Sequence, residues 1–105
     1  MNNSNEREFD LGSILNMTTG LYLTSWDDIC ELASFLLGRS VYILELVFFY
    51  SEMRNHILSI YPQLSSIDPN VQITSYEEAQ VFIQKQKAIY GNSLVITPIG
   101  TRRIK

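Results

Sequence analysis

Apolar residues are densest over 41–50, VYILELVFFY, a run interrupted only by Glu45. It continues into SEMRNHILSIY with apolar positions three and four apart: Ile43, Val47, Tyr50, Met53 or Arg54, Ile57, and Ile60 or Tyr61. That spacing predicts one helix of about 20 residues, roughly 30 Å long. Ser40 is its expected N-cap and Pro62 its stop. Val41, Leu44 and Phe48, with Tyr42 and Phe49, add apolar edges in the first half only. The helix is therefore expected to be apolar all round where it begins and amphipathic where it ends. Such a helix is either central to a core or pressed against another chain. A buried strand is the competing reading, because Val, Tyr, Ile and Phe favour sheets. The smooth helical spacing beyond Tyr50 weighs for the helix. The run is too short to span a bilayer, and Glu45 and Glu52 would be costly in lipid.

The rest of the chain divides around this segment. Asp10 is placed to cap a helix over 11–18, closed by Gly20, with Leu11, Ile14, Leu15 and Thr18 on one face. Residues 21–23 read as a short extended piece. Thr24 or Ser25 caps a second helix, with Asp27 and Asp28 in its first turn, where carboxylates suit the positive helix end. Trp26, Ile29, Leu32, Ala33, Leu36 and Leu37 form its expected buried stripe, and Gly38 ends it. The tight Arg39-Ser40 joint makes this helix and the long one antiparallel neighbours. PQLSSIDPN, with two prolines, is a loop, and 71–73 an expected edge strand. Thr74 or Ser75 caps a last helix over 76–90, with Ser75 and Glu78 in capping-box spacing. Ala79, Phe82, Ile83 and Ile89 are expected to face inward, Lys85 and Lys87 lie near the C-terminal turns, and Gly91 closes the helix. SLVITPI then reads as a strand, with Pro98 marking an edge. The expected fold is α+β and mainly helical, about four helices with a two- or three-stranded sheet from 21–23, 71–73 and 94–99. One globular domain, 10–100, is expected between a flexible 1–9 and a basic tail, 101–105.

Composition narrows the chemistry. At 105 residues the chain suits one domain with a modest core. A net charge of −3 disfavours direct nucleic-acid binding, which needs many cations to neutralise phosphates. A single Cys excludes an internal disulfide and paired-cysteine zinc motifs, and fits a reducing cytoplasm. No signal-peptide pattern is evident at the N-terminus.

Candidate chemistry is sparse. Cys30 and His56 with Asp27 or Asp28 would be the only nucleophile set. Cys30 sits at the edge of an apolar stripe, where a free Cys acts as a small hydrophobe, and His56 lies on the polar end of the long helix. One His excludes a histidine-rich metal site, and Glu31, Glu45 and Glu52 are not spaced as ligands. No metal, cofactor or catalytic activity is expected. GSILNMTTG lacks the Gly-Lys-Ser/Thr ending of a phosphate loop. Thr18, Thr19 and Tyr22, with Arg39 and Arg54, are the residues that would meet a nucleotide, Tyr22 or Trp26 stacking on a base. Tyr42, Glu45, Phe49 and Glu52 are the expected protein interface, since aromatic residues carry interface energy.

LGSILNMTTGLYL, ELASFLLG, Tyr61-Pro62-Gln63-Leu64, and Tyr90-Gly91 before LVITP together resemble a family of small proteins encoded by tailed phages and prophages. The family has no established function. Where it would have a polar Thr-His-Gln-Leu-Pro-Arg motif, this chain has Ile43-Leu44-Glu45-Leu46-Val47-Phe48, and only one Leu persists. The replacement favours packing or partner contact over polar chemistry. The resemblance implies a stoichiometric inhibitor of a bacterial host-defence protein, of anti-CRISPR type, acting in the host cytoplasm. Self-association through the long helix would accompany it. The alternative is a sponge that sequesters a cyclic or phosphorylated nucleotide signal. A role in the assembled virion is a third reading.

Overall fold

A computed structural model describes residues 6–99. The expected tail, 101–105, with Arg102 and Arg103, lies outside the described residues, as do residues 1–5. The order is β1 (Arg7–Asp10), α1 (Leu11–Thr19), α2 (Trp26–Leu37), α3 (Ile43–Ile60), a 3-10 turn (Pro62–Ser66), α4 (Tyr76–Tyr90) and β2 (Ser93–Ile96). The fold is α+β and mainly helical.

The caps follow the side-chain chemistry. The Asp10 carboxylate accepts from the Gly12 amide at 2.9 Å and starts α1. Ser25 Oγ accepts from Asp28 N at the head of α2, and Ser75 Oγ from Glu78 N at the head of α4. Gly20 and Gly38 end α1 and α2 in the left-handed conformation, φ 79° and 74°, which glycine adopts without steric cost.

The sheet differs from the expectation. It has two strands, β1 antiparallel to β2, with Phe9 opposite Leu94 and Asp10 opposite Ser93. Residues 7–9, expected to fray, contribute the first strand. Their single apolar residue, Phe9, is buried, while Arg7, Glu8 and Asp10 face solvent. One buried position in four gives no alternation to read locally. Residues 21–23 and 71–73 form no strand. The Leu23 amide is instead bonded to the Asn16 side chain, so it is not free for a ladder.

The long helix starts at Ile43, not just after Ser40. Val41 is buried, and its amide donates to Ser34 Oγ at 3.2 Å. That pins the connection extended against α2. The Tyr42 amide then donates to the Glu45 carboxylate at 3.0 Å, and α3 begins there. The backbone bond from Tyr42 and the charge of Arg39 hold the Glu45 carboxyl below its ordinary 4.5, and amide and hydroxyl bonds from Thr74 do the same for Glu78. Depressed folded values mean that both carboxylates stabilise the fold above their unfolded pKa. That contribution should disappear as pH falls through the folded values. Urea midpoints of Glu45→Gln and Glu78→Gln should fall below wild type near neutral pH and converge with it in acid. Equal midpoints at neutral pH would show that the caps contribute nothing.

The core is built from Leu11, Ile14 and Leu15 of α1, Leu32, Ala33 and Leu36 of α2, Met53 and Ile57 of α3, Ile83 of α4 and Ile96 of β2, all buried. On α4 and α2 one expected inward residue each lies outside. Ile89 is 68% exposed; seven residues on from Ile83, Tyr90 returns to the buried stripe at about 100° per residue, so Ile89 points away. Trp26 is half-exposed at the first turn of α2, its ring 5.2 Å from that of Tyr22.

Candidate functional site

The two halves of α3 have different surroundings. Its C-terminal half is anchored. Met53 and Ile57 enter the core, His56 Nε2 donates to the Thr97 carbonyl at 2.6 Å, and the Tyr61 hydroxyl beyond the helix donates to the Val95 carbonyl at 2.7 Å. In its N-terminal half, Leu46, Phe49 and Tyr50 pack partly buried on the core. The opposite side is a ridge of solvent-facing apolar residues. Leu44 and Phe48 are each 81% exposed, Val47 79% and Tyr42 76%, with Ile43 half-exposed beside them. Ile43 and Val47, expected on the buried stripe, are therefore on the outside. At about 100° per residue, a helix whose contact line runs through Leu46, Tyr50, Met53 and Ile57 must turn Leu44 and Phe48 outward.

The four residues expected at an interface lie around this ridge in different roles. Tyr42 and Glu52 are exposed. Glu45 caps α3 and pairs with Arg39 at 3.2 Å. Phe49 is partly buried, with the Arg39 guanidinium 5.5 Å above its ring. Leu44, Val47 and Phe48 are the additional exposed members. Their signal was present in the apolar run, but only the tertiary contacts choose which side faces out.

A hollow of about 310 Å³ adjoins the ridge, between the end of α1, the start of α2 and the flank of α3. Met17, Leu21, Trp26, Leu46 and Val47 give it an apolar lining, and Tyr22 and Tyr50 add ring faces. Of the five residues expected to meet a nucleotide, only Tyr22 lines it. Thr19 Oγ1 donates to the Leu15 carbonyl and accepts from the Leu21 amide, so it serves the end of α1. Arg54 Nε donates to the Thr18 carbonyl at 2.9 Å, supplying a cation to the negative end of that helix. Thr18 is buried. Arg39 is held by Glu45 and the Ser40 carbonyl at the head of α3. Thr18, Thr19 and Arg54 thus gather at the end of α1, and Arg39 stands apart at the head of α3. Burial raises the Tyr50 phenol above its ordinary 10.0, while the Arg54 charge opposes the rise.

The TTG segment has a structural account. A Cβ at Gly20 would stand 3.1 Å from Tyr50 Oη, at φ 79°. Gly20→Ala should therefore destabilise the domain by about 1–2 kcal/mol, the usual cost of a left-handed L-residue. Thermal melts check this, and an unchanged midpoint would show that the turn relaxes freely.

Of the candidate nucleophile set, Cys30 is partly buried on α2, and His56 donates from Nε2 to the Thr97 carbonyl. Among the described residues no group of three or more His, Cys, Asp or Glu could hold a metal ion. No helix of the described residues is long and apolar enough to cross a membrane.

Fold and surface together define a small, mainly helical α+β domain that turns one apolar helix face to solvent. The chain belongs to the family described as a domain of unknown function (DUF7736), which matches residues 9–67, more than half of its 105 residues. The matched stretch contains α1, α2 and α3 with the ridge, and α4 and β2 lie beyond it. No curated protein and no solved structure matches the chain.

Proposed function

We propose that this chain acts by stoichiometric protein binding, without catalysis, as a phage-type inhibitor of a bacterial host-defence protein in the cytoplasm. The observation that supports this reading is the ridge of α3, with Leu44, Val47 and Phe48 each about four-fifths exposed on one side of a helix. Apolar surface gathered in this way is characteristic of interaction sites. Tyr42 and Glu52 extend it with an aromatic ring and a charge at its two ends.

The test is co-expression with bacterial defence systems, one at a time, scoring whether phage plating is restored. Wild type should relieve one system and co-purify with one of its proteins, and Phe48→Asp should do neither. Relief of no system, or relief that survives Phe48→Asp, would sink the reading.

A nucleotide-sequestering role is the second reading, favoured by the Tyr22–Trp26 ring pair beside the 310 Å³ hollow. A tight nucleotide would raise the melting temperature by mass action. Unchanged melts across cyclic and linear nucleotides would remove it.

A further inference from the structure

We propose that the α3 ridge is covered by a second copy of this chain, packed antiparallel across a two-fold axis near residue 46. The proposal rests on the reading of α3 as a protein-binding surface and names its occupant.

Three observations lead to a second copy. The first is area. Tyr42 and Phe48 would each bury roughly 150 Å², and Ile43, Leu44 and Val47 about 100 Å² each, so a pair of ridges buries on the order of 1,200 Å², the low end of a standard interface. The second is symmetry. Leu44 and Phe48 lie one helical turn apart on the ridge, so a two-fold axis at their midpoint sets each Leu44 against the partner's Phe48. The same patch then covers itself and the assembly closes at two copies.

The third is charge. An antiparallel pair brings the same flank of both helices together, with positions mirrored about residue 46. Glu52 is exposed on the flank that carries Glu45 and Phe49, and Arg39 lies over that flank at its other end. Mirroring sets Glu52 beside the partner's Ser40 and the partner's Arg39, opposite charges at both ends of the ridge. A parallel pair would bring opposite flanks together, leaving Glu52 and the partner's Arg39 on different edges without this pairing. A target on the same face would displace the second copy, so dimer and inhibitory complex would compete.

Light scattering tests the proposal on the full chain. Wild type should show a mass that rises with concentration toward twice 12.1 kDa. Phe48→Asp and Leu44→Glu should each weaken the dimer by at least about tenfold with unchanged far-UV circular dichroism. A wild type that stays monomeric at its highest soluble concentration would overturn the proposal, as would a dimer indifferent to both substitutions. Orientation is read by cysteine cross-linking in a Cys30→Ser background. Val47→Cys should form a disulfide-linked dimer. Asn55→Cys should not, because an antiparallel pair holds the two positions about 27 Å apart along the helix axis. Cross-linking through Asn55→Cys, or a dimer that Val47→Cys fails to cross-link, would overturn the antiparallel arrangement. A dimer that relieves no defence system would leave this inference standing while removing the inhibitory role.

Discussion

Ile57→Ala is expected to lower the stability of the domain by about 2–5 kcal/mol, the range for removing a large aliphatic side chain from a closed core. Ile57 is fully buried in the anchored half of α3 and belongs to the cluster that joins all four helices and β2. Helices and sheet converge there, so the cavity left by the deletion cannot collapse cheaply. Domains of this size hold roughly 5–15 kcal/mol in total, so the loss is a large fraction. The melting temperature should fall by about 10 °C or more. Phe48→Ala, on the same helix, should leave the stability of dilute monomer within about 0.5 kcal/mol of wild type, as surface substitutions do. Urea unfolding at low protein concentration reads both. Similar losses for the two variants would mean that Phe48 is buried in the monomer. A loss under 1 kcal/mol at Ile57 would mean that the anchored half of α3 is loosely packed.

Asn16→Ala should cost about 2–4 kcal/mol, because each buried group left unpaired costs about 1–3 kcal/mol. Asn16 is buried in α1. Its carbonyl oxygen accepts from the Leu23 amide at 2.8 Å, and its amide nitrogen donates to Thr24 Oγ1 at 2.6 Å. These bonds hold the connection between α1 and α2, on which Leu23 is buried and Tyr22 lines the hollow. Alanine leaves the Leu23 amide buried without its acceptor. Hydrogen exchange at Leu23 should accelerate more than at core amides of α2, marking local opening of this connection. Uniform acceleration across the domain would instead identify a global loss, and unchanged exchange at Leu23 would show that the bond to Asn16 contributes nothing.

Several elements were legible locally. Asp10, Ser25 and Ser75 caps, the Gly20 and Gly38 stops and the 3.6-residue period placed α1, α2 and α4 within a residue or two, because each signal acts within one or two turns of chain. The bond from Asn16 to Leu23 was not. Its two ends are seven residues apart, and a buried Asn in a helix carries no mark of which amide it will satisfy. Strand β1 was missed for a related reason. Pairing Phe9 with Leu94 joins the two ends of the described chain, and a four-residue strand with one buried position has no pattern of its own.

The amino-acid order by itself determined that the middle of this chain is a helix with more apolar surface than one contact line can bury. Helical period and side-chain transfer energy are local properties, and no packing arrangement alters them. Only the tertiary structure decided which apolar residues go inside. The contact line through Leu46, Tyr50, Met53 and Ile57 is set by where α1 and α2 stand, and at about 100° per residue that choice sends Leu44 and Phe48 to solvent. It also decided that Arg54 finishes the end of α1, since that bond depends on how α3 crosses it.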